Sequence, residues 1–278
     1  MIIGIDIGSS TTKTVSVEGG KLARKIKTRA ADAVTSATGA LGKLLLENNI
    51  GISAIQGIAI TGAGASRIKN DIFGIPTRRI DEIEAIGTGG IFLAETWGGV
   101  KPGRDSIIIA NVGTGTAIIE AGKDGITHLG GSGVGGGTIQ GLAKKLLPTS
   151  DFNSILELAE KGDLDQVDLL LKDITETDIS FLNRETTAAN FGKMMDSAGS
   201  ADMALGILNM VYQVIGMLAV FAARSKNLDR VIVTGNGSNN PIGKQVLKII
   251  TGMYGVRFEY PPDAEYTTAI GAAFSWGV

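Results

Sequence analysis

The chain has 278 residues, 44% of them apolar, which is enough for two domains of ordinary size. Its 26 Lys and Arg against 28 Asp and Glu leave a net charge of −2, scattered without long runs, which excludes a basic nucleic-acid footprint. With no cysteine and a single histidine, His128, it has no disulfide, thiolate metal site, iron–sulfur cluster, cysteine nucleophile or multi-histidine metal site.

In chain order, residues 1–7 form an apolar run that suits a buried strand, and 11–17 and 21–28 alternate as its meander partners. Residues 31–48 read as an amphipathic helix, with Val34, Ala37, Leu41, Leu44 and Leu45 at helical spacing. A short buried strand over 55–61 ends in the turn Thr61-Gly62-Ala63-Gly64, and Ile75-Pro76 stops whatever precedes it. Residues 81–95 read as a helix with Asp81, Glu82 and Glu84 in its first turn, where the helix dipole favours negative charge. The stretch WGGVKPGRD, 97–105, is the clearest linker and sets a boundary between domains over 1–105 and 106–278.

The second part opens with a strand, a glycine turn, two further strands and a glycine run at 135–137 that starts a helix. A polar segment, 151–178, precedes a helix around 186–196. Residues 203–223 carry no charge and are long enough to span a bilayer. Asn209, Tyr212 and Gln213 interrupt them, and Asp202 and Arg224 bound them, so we read a helix buried between layers or at a subunit interface. A strand over 231–234 then ends in GNGSNN, followed by a helix over 242–254 and a short strand over 257–260. The closing helix, within 267–278, is expected to pack back on the first domain. Strands and helices alternating after hairpin starts give an α/β class, mixed sheets flanked by helices. The N-terminus, MIIGIDIGSS, lacks a basic n-region and carries an acid, so a soluble, cytoplasmic protein is expected.

Chemistry concentrates in four stretches. In the first, Asp6, Gly8, Ser9, Ser10, Thr11 and Lys13 lie in one hairpin. Glycine admits phosphate oxygens, backbone N–H groups and hydroxyls cradle them, and Lys13 adds charge. Asp6 suits Mg²⁺ held through water, because Mg²⁺ takes few carboxylates alongside phosphates. The second stretch, Asn111, Gly113, Thr114, Gly115 and Thr116, repeats the device, with Asn111 in the place of Asp6. Two such hairpins, each behind a run of isoleucines, imply related halves facing across a cleft. In the third, Gly135, Gly136 and Gly137 open a helix whose free N–H groups favour phosphate. In the fourth, Gly235 and Asn236 follow a strand and are placed to close over a nucleoside. In the first stretch neither P-loop nor G-x-G-x-x-G spacing applies.

This order resembles the superfamily of acetate and sugar kinases, heat-shock chaperones and actin. GIDIGSSTTK, IDEIEA, NVGTGT, the GGGTIQGL run with Gln140, TTAANFG and AIGAAFSW together resemble the type II pantothenate kinases over essentially the whole chain. The resemblance implies duplicated ribonuclease H-like (actin-like ATPase) domains with an ATP cleft between them, and ATP with Mg²⁺ at the stretches above. It also implies a homodimer that phosphorylates pantothenate on the path to coenzyme A. A kinase needs a carboxylate to position or deprotonate the acceptor hydroxyl. Asp71, Asp81, Glu82 and Glu84 are all candidates by residue type, and the resemblance selects Glu82, with Thr114 and His128 as further substrate contacts.

Two positions depart from the family pattern: Ala117 stands where a serine is usual, and His128 where an arginine is. A histidine meets a carboxylate with only partial charge near neutral pH and without a bidentate fork. The acceptor therefore stays open between pantothenate and another small alcohol. A non-kinase ATP-driven switch or metabolite sensor is the alternative from a different class. GIDIGSSTTK also resembles the start of the dehydratase activators, whose cluster-binding cysteines are missing here.

Overall fold

Alternation along the first strand sends Ile3, Ile5 and Ile7 to one face and Ile2, Gly4 and Asp6 to the other, and both faces are covered. The computed structural model describes residues 1–98, 105–180 and 182–277, so the middle of the expected linker, 99–104, lies outside the described residues.

The first sheet contains β1 (Ile2–Ile7), β2 (Thr11–Glu18), β3 (Lys21–Arg29), β4 (Gly57–Thr61) and β5 (Thr77–Arg79) in the order β3-β2-β1-β4-β5. β1, β2 and β3 form an antiparallel meander, while β4 and β5 add in parallel. Between β3 and β4 runs α1 (Ala33–Glu47), capped by Asp32, whose carboxylate accepts the N–H groups of Val34 and Thr35 at 3.1 and 3.0 Å. After β5 comes α2 (Glu82–Trp97), capped in the same way by Asp81.

The second half rebuilds the same topology. β6 (Ile107–Val112), β7 (Thr116–Gly122) and β8 (Gly125–Ser132) form the meander, followed by α3 (Gly136–Leu146) and α4 (Phe152–Ala159). β9 (Leu169–Leu170) and β10 (Thr187–Ala189) make a small separate ribbon before the long α5 (Ser200–Ser225). β11 (Arg230–Thr234), α6 (Pro241–Tyr254), β12 (Arg257–Glu259) and α7 (Thr267–Phe274) complete the chain. The sheet order is β12-β11-β6-β7-β8, the first sheet's order read from the other end.

The helices at the end of each half change sides. α2, which follows the first sheet, packs Ile86 and Ala94 against Ile107, Ile109, Ile119 and Ile232 of the second. α7, which ends the second half, packs Ala269, Ile270 and Ala273 against Ile2, Val15 and Val17 of the first. The two helices cross on glycine: a Cβ at Gly271 would overlap the Ala85 carbonyl oxygen, and one at Gly89 the Thr267 carbonyl oxygen. This close crossing forms a spine between the sheets.

Two differences from the sequence reading concern the polar insertion. Residues 152–159 form a helix because Asp151 caps it, accepting the Ser154 N–H at 3.0 Å. The helix expected around 186–196 is absent; β10 and turns take its place. Asp168, fully buried, draws this segment inward by accepting the Phe191 N–H at 2.9 Å and the Asn209 amide at 2.8 Å. Phe191 and Met194 adopt φ of 56° and 38°, which breaks a right-handed helix. α5 itself lies mostly buried, with Ile207, Leu208, Val211 and Ile215 fully enclosed in the main core.

Candidate active site

The two glycine hairpins meet. Ser9 Oγ and Thr114 Oγ1 share a hydrogen bond of 2.6 Å, and Asn236 Nδ2 donates to Thr11 Oγ1 at 3.2 Å. Three of the four stretches singled out in the sequence thus converge above the C-terminal ends of β1, β4, β6 and β11, where open α/β sheets place their ligands.

Beneath the first hairpin, Asp6 and Lys13 face each other across β1 and β2, 8% and 6% exposed, with Lys13 Nζ 3.6 Å from Asp6 Oδ2. Burial pushes the Asp6 carboxyl up, and the Lys13 charge works against that shift. Glu82 begins α2 and stays reachable by solvent. Partial desolvation by the surrounding protein, then the charges of Asp6 and Asp81, push its carboxyl above the usual glutamate range, with Lys13 opposing. Glu82 therefore shares one electrostatic neighbourhood with Asp6 and Lys13. Asp81 is committed to its cap, and Asp71 accepts the Thr77 N–H at 2.9 Å.

The sequence reading missed a second duplication. Thr61-Gly62-Ala63-Gly64 after β4 matches Thr234-Gly235-Asn236-Gly237 after β11, and only the shared T-G-x-G pattern signals it. Gly62 and Gly235 take φ of +85° and +78°, which glycine adopts without steric cost. A Cβ on Gly62 would sit 2.5 Å from Asp6 Oδ1, and one on Gly235 2.5 Å from the Val112 carbonyl oxygen. The halves then diverge. Thr234 Oγ1 donates to Asn111 Oδ1 at 3.0 Å, whereas Thr61 Oγ1, buried beside Asp6, has no partner. The Asp6 carboxylate thus has Lys13 on one side and no hydroxyl donor from Thr61, and a buried carboxylate next to an orphaned hydroxyl fits a hard cation held mainly by phosphate and water. Among the described residues, no cluster of three or more Asp, Glu, His or Cys forms a protein-only metal cage.

The expectation of free N–H groups at 135–137 needs correction. Gly136 donates to the Gly113 carbonyl and Gly137 to the Thr114 carbonyl, each at 2.9 Å, so the start of α3 props the second hairpin from behind. Gly135 N–H goes to Thr138 Oγ1 at 3.2 Å, and the Thr116 hydroxyl donates to the Val134 carbonyl at 2.8 Å. Gly8 donates to the Thr11 carbonyl at 3.2 Å, and the Ser10 carbonyl accepts from Ala30. Gly115 packs against Ser132 and Gly133, and Gln140 is exposed on α3.

Ala117 and His128, the two departures from the family pattern, lie on neighbouring strands. Ala117 pairs with Gly131 and Ile119 with His128 across β7 and β8, with the register shifting between Ile118 and Ile119. Ala117 and Ile119 pack on the face that α2 covers, in one cluster with Ile83, and His128 is exposed opposite Ile119.

The family model described as Fumble matches residues 104–255. The type II pantothenate kinase of Staphylococcus haemolyticus (strain JCSC1435) is 28% identical over 282 residues, 99% of this chain and 99% of that protein. That of Staphylococcus saprophyticus is 29% identical over 277 residues, covering 98% and 99%. Among solved structures, component A of the Acidaminococcus fermentans (R)-2-hydroxyglutaryl-CoA dehydratase has a TM-score of 0.68 at 17% identity, over 99% of this chain and 96% of that one. A ROK family glucokinase from Streptomyces griseus, in complex with glucose and AMPPNP, has a TM-score of 0.57 at 13% identity, covering 99% and 98%. These structural likenesses establish the fold, duplicated ribonuclease H-like domains of the actin-like ATPase type.

Proposed function

Because the chain belongs to the Fumble family, we propose that it is a type II pantothenate kinase, transferring the γ-phosphate of ATP to the primary hydroxyl of pantothenate on the path to coenzyme A. The observation that carries this reading is the Asp6–Lys13 pair behind the hairpin whose Ser9 meets Thr114, with Glu82 within electrostatic reach of both charges. The hairpins at Gly8, Ser9, Ser10 and Thr11 and at Gly113, Thr114 and Gly115 would cradle the phosphates, with Gly135–Gly137, Thr116 and Gln140 behind them. Gly235 and Asn236 would close over the nucleoside. The duplicated halves, 1–105 and 106–278, act as the two jaws.

Phosphoryl transfer asks the protein for position and charge more than for covalent chemistry. Glu82 accepts the hydroxyl proton as the acceptor oxygen bonds to the γ-phosphorus. The bond from that phosphorus to the bridging oxygen breaks, and ADP leaves. Lys13 balances charge on the phosphates. Asp6 would hold Mg²⁺ through water, and the ion would supply charge neutralisation of the transferring phosphate. A raised carboxyl at Glu82 makes it a stronger base than an ordinary glutamate, as this role requires.

The second reading keeps the kinase and changes the acceptor, favoured by Ala117 and His128, the two departures from the family pattern, on neighbouring strands. Release of ADP across a panel of pantothenate, pantetheine and sugars decides between them: turnover confined to pantothenate supports the first reading, and turnover only with another alcohol overturns it. Slow hydrolysis that no alcohol accelerates would point to a switch. Phe221 on α5, 61% exposed, favours a homodimer. The buried remainder of α5 favours a soluble, cytoplasmic enzyme over a membrane-spanning one.

A further inference from the structure

Tyr212 is the bulkiest fully enclosed side chain among the described residues, 1% exposed in the middle of α5. Its ring lies against Gly243 in the first turn of α6, where any Cβ would overlap the ring. Its hydroxyl donates to the Gly237 carbonyl at 2.8 Å. Packing alone would be served by phenylalanine, and a buried hydroxyl is retained at a desolvation cost that only its hydrogen bond offsets. Burial pushes the phenol well above its ordinary range, so it remains a donor across the working pH.

Gly237 belongs to a short 3₁₀ turn at Asn236–Asn239, just after the left-handed Gly235. That turn has two local bonds, Ser238 N–H to the Gly235 carbonyl and Asn240 N–H to the Gly237 carbonyl, each at 3.2 Å, and its entry is held where Gly235 N–H donates to the Ala264 carbonyl at 2.9 Å. Its outer side sends Asn236 to Thr11 of the first half. So short an element has little stability of its own. Tyr212 ties it from below to a helix packed in the largest core.

We propose that Tyr212 is a positioning residue for nucleotide binding, its hydroxyl fixing the Gly237 carbonyl and through it the Gly235–Asn236 backbone that closes over the nucleoside. This rests on the reading of that turn as part of an ATP site. Removing the hydroxyl leaves a turn that samples other heights and must be ordered by each incoming nucleotide, which weakens ATP binding and leaves the acceptor side unchanged.

The test is Tyr212→Phe, with Ile215→Val as a control at another enclosed α5 position. Calorimetric titration of ATP into Tyr212→Phe should give a Kd raised about threefold to tenfold, the net worth of one hydrogen bond. The KM for the alcohol acceptor and kcat should stay within about twofold, since neither depends on the turn's height. Ile215→Val should lower Tm without moving the ATP Kd. Hydrogen exchange of residues 235–240 in the nucleotide-free protein should accelerate in Tyr212→Phe only. An unchanged ATP Kd in Tyr212→Phe, or ATP and acceptor constants that weaken in parallel, overturns the assignment. Failure of the wild-type protein to bind ATP overturns the nucleotide site and the assignment with it, which separates the two failures.

Discussion

Ser9 Oγ and Thr114 Oγ1 lie 2.6 Å apart although 105 residues separate them in the chain. Each sits at the tip of a hairpin from a different half, so the contact measures how far the jaws are closed. Triphosphate would occupy the space between these tips, so it must part them. The absence of native cysteine makes Ser9→Cys/Thr114→Cys a clean lock. Oxidised, the double variant should bind no ATP by calorimetry, and reduction should restore binding. Equal affinity in both redox states would remove the phosphate slot from between the hairpins.

Glu82→Gln should lower kcat by about 10²- to 10⁴-fold, the usual worth of a general base. Nucleotide affinity should change little, because the side chain acts on the acceptor. Wild-type turnover in this variant would return the role to another carboxylate.

The charges of Asp6 and Asp81 help hold Glu82 above the usual glutamate range. A base works deprotonated, so kcat/KM should fall as pH drops through this raised value, higher than for an ordinary glutamate. Asp81→Asn keeps a good N-cap for α2 while deleting one of the repelling charges. Its acid limb should shift to lower pH in a pH–rate profile, and a limb that stays in place would detach the profile from Glu82.

Asp6→Asn would copy the arrangement at Asn111 and remove the one carboxylate fitted to Mg²⁺. Titrations of ADP with and without Mg²⁺ should then coincide, whereas the wild-type protein should bind more tightly with the ion. A retained Mg²⁺ effect would place the ion elsewhere.

Gly271→Ala should destabilise the protein by about 3 kcal/mol or more, since its methyl would overlap the Ala85 carbonyl and neither backbone can yield. Gly252→Ala is the matched contrast. It lies in α6 with nothing within 4 Å of the added carbon, so helix propensity should give about 0.5–1 kcal/mol of added stability. Urea unfolding of both variants reads the opposite signs.

Asp168→Ala would leave the Thr187 hydroxyl and the Phe191 N–H without their acceptor and take one acceptor each from the Asn190 and Asn209 amides, which keep Gln213 and Thr187. A loss of about 3 kcal/mol or more follows from unsatisfied buried donors. Limited proteolysis should first cut within 182–199. Wild-type resistance there would show that other contacts hold the segment.

The sequence alone determined the α/β class, the two glycine hairpins with Asp6 and Asn111 in matching places, and the acidic first turn of α2. Those features are local: strand alternation, turn chemistry and first-turn charge act over a few residues. It also carried the second duplication, in the T-G-x-G turns, in a form too short to stand out. A return of the closing helix to the first half was expected, but only the tertiary structure decided that α2 crosses to the second sheet, because that depends on Gly89 and Gly271 meeting α7 and α2 across most of the chain. Packing likewise decided that the Gly136 and Gly137 N–H groups serve the hairpin, that Thr61 is left without a partner where Thr234 has one, and that Tyr212 reaches Gly237. Each of these depends on which surfaces come together, and a one-dimensional pattern of residue types records which groups can bond but not which of them meet.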